Sequence, residues 1–368
     1  MQNHKIYHTI LSGNAQKVRQ IKNHSIDLVV TSPPYPMIEM WDEVMSGLNP
    51  EIRLALSEND GNTAFEMMHQ ELDKVWKEIY RVLKPGGIVC INIGDATRTL
   101  DGNFALYPNH SRIIASFLKL GFSNLPNIIW RKQTNSPNKF MGSGMLPAGA
   151  YVTLEHEWIL IFRKGQKRVF SSENEKSKRR NSSFFWEERN NWFSDLWEFK
   201  GTRQFIENSE SRDRSAAYPF ELPYRLINMY SVKGDVVFDP FLGTGTTTIA
   251  AIASERSSVG VEIDKAFLTL IKNRIAQLDI DRLNYYISER LKQHNIFVRE
   301  YKKEFKHYNH FLKSPVVTSQ ETELQFSYLI MIKKKSEDYF EIEYQTIEAD
   351  NIDVPIIRKE KKQPSLGF

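Results

Sequence analysis

Apolar positions along this chain follow two spacings, and they alternate. Residues 26–30 (IDLVV) form a short apolar run that breaks at Thr31-Ser32-Pro33-Pro34-Tyr35, which predicts a buried strand opening into a loop at its carboxyl end. Over 62–83, Phe65, Met68, Leu72, Val75, Trp76, Ile79 and Leu83 recur at three and four residues, the period of an amphipathic helix. Lys84-Pro85-Gly86-Gly87 should stop it. A second buried strand is expected at 88–93 (IVCINI), a helix at 112–120 closed by Gly121, a strand at 127–130, and its partner at 157–162 (EWILIF).

The pattern dissolves from Lys164 to about Arg214, a polar, basic stretch carrying Trp186, Trp192 and Trp197. Beyond it the spacing predicts a helix at 222–230, a strand at 236–238, a helix at 246–253 that starts in a glycine loop, a strand at 258–261 and a helix at 267–278. Two strand-like runs, 326–332 and 340–344, follow in a charged C-terminal stretch. Buried strands alternating with helices predict an α/β fold: a mostly parallel sheet covered on both faces, with an antiparallel edge hairpin.

Composition narrows the class. With 368 residues, 41% hydrophobic and 26% charged, the chain is long enough for one large domain with smaller appendages and unlike a disordered or membrane protein. No apolar run reaches spanning length, so no membrane association is expected. MQNHKIYHTI lacks a secretory pattern, and the single cysteine, Cys90, cannot form an internal disulfide, so the expected location is the cytoplasm. The net charge of +4 permits nucleic-acid binding. Its distribution says more: Lys176, Lys178, Arg179 and Arg180 concentrate the basic excess among aromatics, a pattern that fits either a solvated surface loop or a nucleic-acid contact, the contact being what the family resemblance below implies for this insert.

Two motifs carry chemistry. Val236-Val237-Phe238-Asp239 leads through Pro240-Phe241-Leu242-Gly243-Thr244-Gly245 into a helix at Thr246, a turn that lets a ligand approach the backbone near a helix's positive end. Glu262 ends the next strand, nineteen residues after Gly243, where an acid can accept both ribose hydroxyls of an adenosine-containing ligand. Thr248 stands where a nicotinamide fingerprint wants a third glycine, and no Gly-Lys-Ser/Thr follows, so pyrophosphate is not the expected ligand. Asp239 suits one bearing a sulfonium and an ammonium, such as S-adenosylmethionine.

In Ser32-Pro33-Pro34-Tyr35, two prolines fix the backbone so that Ser32 Oγ and the Pro33 carbonyl present two acceptors to the two hydrogens of an exocyclic amino group. Tyr35 offers a face for an extruded base. Trp41 is read equally as wall or core. Cys90 lies inside an apolar strand, unlike the exposed nucleophile that cytosine C5 chemistry requires. His307 and His310 have metal-like spacing without a third ligand, so no metal is expected.

With these residues on the page, the chain resembles the DNA amino-methyltransferase family. Thr31 to Tyr35 looks like its catalytic Ser/Asp/Asn-Pro-Pro-Tyr motif, and Asp239 to Thr247 like its Phe-x-Gly-x-Gly cofactor motif. The order, catalytic motif first, is that of the beta class. The resemblance implies a Rossmann-like methyltransferase domain over 1–165 and 216–275, a target-recognition insert at 166–215, and a C-terminal region, 276–368, of no assigned role. It implies cofactor contacts at Asn14, where many members carry Asp toward the adenine, at Phe220 and Glu221 around the methionine part, and at Phe241, Gly243, Gly245 and Thr246. Ser in the first motif position implies N4 of a flipped cytosine; N6 of adenine is the alternative. Double-stranded DNA is the implied partner, and a homodimer and a cognate restriction endonuclease are compatible with it. An RNA methyltransferase on the same scaffold and a catalytically silent DNA-binding module are the readings from other classes. Two intact motifs count against the second.

Overall fold

Alternate residues of the apolar runs face opposite sides of one sheet, and this places helices on both. Leu28, Val30 and Cys90 look into one core, while Val29, Val89 and Ile91 look into another. The computed structural model describes residues 3–132, 141–199 and 218–348; positions 200–215 of the expected insert and 349–368 of the C-terminal region lie outside them.

Eleven strands form the main sheet among the described residues: β1 (Asn3–Ser12), β2 (Ile26–Thr31), β3 (Leu83–Ile93), β4 (Phe122–Asn124), β5 (Ile128–Arg131), β6 (His156–Lys164), β7 (Leu196–Glu198), β8 (Val236–Asp239), β9 (Ser257–Glu262), β10 (Ser327–Lys334) and β11 (Tyr339–Thr346). Their order is β7-β5-β6-β3-β2-β8-β9-β1-β11-β10, with β4 alongside β6. The five from β3 to β1 run parallel. The expected pairing of β5 with β6 is present and antiparallel, Trp158 opposite Ile129. It is not at the edge, because β7 adds a further strand parallel to β5. The edge hairpin is instead β10–β11, laid antiparallel on β1.

One layer holds α1 (Asp42–Leu48), α2 (Glu51–Ser57), α3 (Gly61–Val82) and α4 (Asn109–Lys119). In the basic stretch lie α5 (Glu173–Asn181) and α6 (Trp186–Trp192); the opposite layer is built from α7 (Glu221–Tyr230), α8 (Thr246–Ala253), α9 (Lys265–Ala276) and α10 (Ile280–Glu300). Asp60 caps α3 by accepting from Thr63 N–H at 3.0 Å. The Lys84–Gly87 segment ends that helix but belongs to β3 as an irregularity: pairing with β2 slips from Ile26–Leu83 to Leu28–Ile88. Gly86 has φ +81°, and a Cβ there would lie 2.7 Å from the Arg168 backbone nitrogen.

The described part of the stretch without a sequence pattern, up to residue 199, is held by long-range contacts. Glu188 of α6 forms a bidentate pair with Arg290 of α10, at 2.5 and 2.8 Å, and His294 stacks on Phe185 at 3.7 Å. Phe185, Ile287, Leu291, Val316 and Phe326 bury one another in a small third core. The described residues of both the insert and the C-terminal region reach the sheet, since β7 comes from one and β10 and β11 from the other.

Candidate active site

Loops at the carboxyl ends of β1, β2, β8 and β9 converge on a cavity of about 490 Å³, the position where open parallel sheets collect ligands. Its wall contains Asn14, Ser32, Pro33, Pro34, Asp239, Phe241, Gly243, Thr246 and Glu262, so the two motifs, about 200 residues apart in sequence, meet there. Trp41 is on the wall too, together with Val44 and Leu48 of α1, which the sequence did not single out.

Two carboxylates organise the glycine loop. Glu262 accepts from Gly243 N–H at 2.7 Å through one oxygen and from Asp264 N–H at 2.8 Å through the other. Each oxygen retains a lone pair, which fits a ribose diol. Burial pushes the Glu262 carboxyl up, opposed by those backbone donors. Gly243 and Gly245 take φ of +53° and +81°, the left-handed region where a side chain is strained. A Cβ on Gly245 would also approach Ile271 Cγ2 to 3.0 Å.

Asp239 is more enclosed than its expected role suggests. One oxygen accepts from Thr31 Oγ1 at 2.6 Å and Phe241 N–H at 3.0 Å; the other accepts from Thr247 Oγ1 at 2.5 Å and Tyr218 Oη at 3.5 Å. Burial raises its carboxyl, and these donors hold it down. Asp239 therefore ties the end of β2 to the glycine loop as well as facing the cavity.

Phe220 and Glu221 are not on the cavity wall. Phe220 stacks on Tyr224 at 5.3 Å and meets Tyr286 at a tilt at 4.4 Å, and Glu221 accepts from Arg225 Nε at 2.5 Å. The residue of that element which lines the cavity is Tyr218. Asn14 is exposed at the rim, its Oδ1 accepting from Gln16 N–H at 2.9 Å. Tyr35 packs its ring edge against Gly94, and its hydroxyl sits in a network the sequence did not reveal. It donates to Glu157 Oε2 at 3.0 Å and accepts from Asn92 Nδ2 at 2.8 Å and Ser32 Oγ at 3.2 Å. Lys132 pairs with the other Glu157 oxygen. A polar residue between Ile91 and Ile93 in a buried strand was the available signal for Asn92.

Of the basic cluster, Lys176, Lys178 and Arg179 are exposed on α5. Arg180 is already neutralised, held by Glu173 at 2.6 Å and Glu323 at 2.8 Å. Cys90 is fully buried, and burial pushes its thiol up, as an inert thiol requires. No helix among the described residues is long and apolar enough to cross a membrane.

Comparison with known proteins identifies the family of the chain. The DNA methylase family model matches residues 26–273. The chain is 51% identical over 345 residues to Type II methyltransferase M.MthZI of Methanothermobacter thermautotrophicus, covering 93% of this chain and 96% of that one. It is similar to the structure of TTHA0409, a candidate DNA modification methylase of Thermus thermophilus complexed with S-adenosyl-L-methionine, at 33% identity and a TM-score of 0.56 over 73% of this chain and 95% of that one. The PvuII cytosine-N4-specific DNA methyltransferase, 16% identical with a TM-score of 0.51 over 77% of this chain and 92% of that one, shares the fold. With both motifs on one cavity and the family model spanning most of the chain, this protein belongs to the N4/N6 DNA methylases, the DNA amino-methyltransferases that use S-adenosylmethionine.

Proposed function

We propose that the chain methylates N4 of a cytosine extruded from duplex DNA, at one short sequence. The observation that carries this is the direction of the Ser32 hydroxyl. Glu157 can only accept and Asn92 Nδ2 can only donate, so the single Tyr35 proton points to Glu157 and the Ser32 proton to Tyr35. Ser32 is thereby left with its lone pairs toward the cavity. Together with the Pro33 carbonyl it offers two acceptors to two amino hydrogens, which turns the nitrogen lone pair toward the methyl group. Serine rather than Asp or Asn at this position supports cytosine over adenine.

S-adenosylmethionine supplies the electrophilic methyl. Glu262 is suited to the ribose, Phe241 and Asn14 to the adenine, Asp239 to the charged end, and Gly243, Gly245 and Thr246 to the close backbone approach. Phe220 and Glu221 act at one remove, fixing the start of α7 behind Tyr218. Lys176, Lys178 and Arg179 contact phosphate, and extrusion costs a few kcal/mol, offset by stacking and hydrogen bonds. Relatives named Type II methyltransferases support a single short target site and a partner endonuclease that reads it. Mass spectrometry of digested product DNA tests the base, with N4-methylcytosine expected. Ser32→Ala should lower single-turnover methylation about a hundredfold while cofactor affinity by calorimetry stays within twofold. Methyladenine alone in the digest would reassign the base.

A further inference from the structure

Transfer to an amino nitrogen leaves one proton too many on the base, and the chain of hydrogen bonds from the cavity already runs in one direction. Ser32 donates to Tyr35 at 3.2 Å, and Tyr35 donates to Glu157 at 3.0 Å. We propose that Ser32, Tyr35 and Glu157 form a proton relay that carries the proton released by the methylated amino group out of the cavity to the Glu157 carboxylate. It rests on the reading that Ser32 accepts from the target amino group.

The step balances. The nitrogen lone pair forms the N–C bond as the S–C bond breaks and its electrons return to sulfur, leaving a cationic nitrogen with two hydrogens. One of these moves to Ser32 Oγ as the serine proton moves to Tyr35 Oη and the tyrosine proton to Glu157 Oε2. Serine and tyrosine end neutral, and Glu157 ends as a carboxylic acid that returns its proton to water.

The surroundings suit this use. Lys132 pairs with the far oxygen of Glu157, which leaves the near oxygen facing Tyr35. Asn92, 2% exposed, donates both to Glu157 at 2.6 Å and to Tyr35 at 2.8 Å, which fixes the phenol's lone pairs and leaves its proton one destination. Burial and the Glu157 charge push the Tyr35 phenol well above its ordinary range, so Tyr35 passes a proton on rather than resting as phenolate. The groups facing Glu157 are Tyr35 from the loop after β2, Asn92 of β3 and Lys132 beyond β5; Arg131 and Glu155 pair nearby at 3.6 Å, and Tyr218 acts on Tyr35 from the glycine-loop side.

Glu157 acts through Tyr35 and is a positioning residue with a charge requirement, which Glu157→Gln removes while keeping the acceptor oxygen. Single-turnover methylation of a duplex by the full chain preloaded with S-adenosylmethionine should fall about a hundredfold in Glu157→Gln. The wild-type rate should decline toward acid, and this acid limb should vanish in the variant. Cofactor affinity by calorimetry should stay within twofold. Independently of turnover, the ionisation of Tyr35, read as the phenolate absorbance missing from Tyr35→Phe, should move to lower pH in Glu157→Gln. Should Glu157→Gln not fold, Tyr35→Phe, which keeps the ring and cuts the relay, must itself lose the acid limb. An acid limb retained in these variants overturns the relay. A Ser32→Ala enzyme with the wild-type rate overturns the reading beneath it, so the two failures are distinct.

Discussion

His69 shows how a single buried side chain supports the site and carries a measurable cost. Asn109 Nδ2 donates to the carbonyls of Pro36 at 3.1 Å and Gly94 at 3.0 Å, so its Oδ1 must accept from His69 Nε2, 3.0 Å away. This joins the loop after β2 to the end of β3. The ring is neutral, because burial lowers its pKa to about 4, and His8, bound to Ser258 at 2.8 Å, is lowered to about 3. The unfolded chain protonates both near 6.5, so unfolding takes up protons between about 3 and 6.5, and stability falls as the pH drops through that window. Each ring contributes a slope of at most about 1.4 kcal/mol per pH unit. Urea midpoints measured between pH 7 and 4.5 should show a shallower decline in His69→Gln than in wild type, with the carboxylates cancelling in the difference. Parallel declines would mean that His69 is not held neutral.

At the scale of elements, legibility followed local signal. The strands at Ile26–Thr31 and Val236–Asp239 and the helix Thr246–Ala253 announce themselves by apolar runs and glycine punctuation. β1 does not, because buried His8 takes an apolar place between Ile6 and Ile10. α10 hides Leu283, Ile287 and Leu291, four residues apart, under a heavily charged surface. α5 buries no residue at all, so no apolar period exists to find; its signal is the capping box Ser172–Glu175. The cavity motifs were readable, whereas Asn92, Glu157 and Lys132 were not, since only strand pairing brings β3 and β6 beside the catalytic loop. With no apolar face to bury, α5 is best understood through charge. Replacing Lys176, Lys178 and Arg179 with Gln should weaken duplex binding and lower the magnitude of the log–log salt slope by about one for each phosphate no longer neutralised. Arg180 is left in place because Glu173 and Glu323 hold it. An unchanged slope would remove α5 from the DNA surface.

At the scale of the whole molecule, the family match stops at residue 273, but the fold does not. β11 lies directly on β1, burying Phe340, Ile342 and Tyr344, and Tyr344 donates to the Ile252 carbonyl of α8 at 2.7 Å. From α10, Tyr286 packs on Phe220 just upstream of α7, next to the chain that carries Tyr218 to Asp239, and Arg290 holds Glu188 of the insert. Full burial of one such large side chain is worth about 1.5–3 kcal/mol, against a net stability of about 5–15 kcal/mol for a whole domain. Losing the three residues of β11 alone removes a comparable amount, before the exposed edge of β1 and the unpaired Glu188 are counted. A chain ending at residue 277 should therefore lack a cooperative thermal transition and bind no S-adenosylmethionine in calorimetry, although it keeps every motif residue. A soluble truncated chain with wild-type cofactor affinity would show instead that the methylase core folds alone, and that the C-terminal strands only extend a sheet already complete.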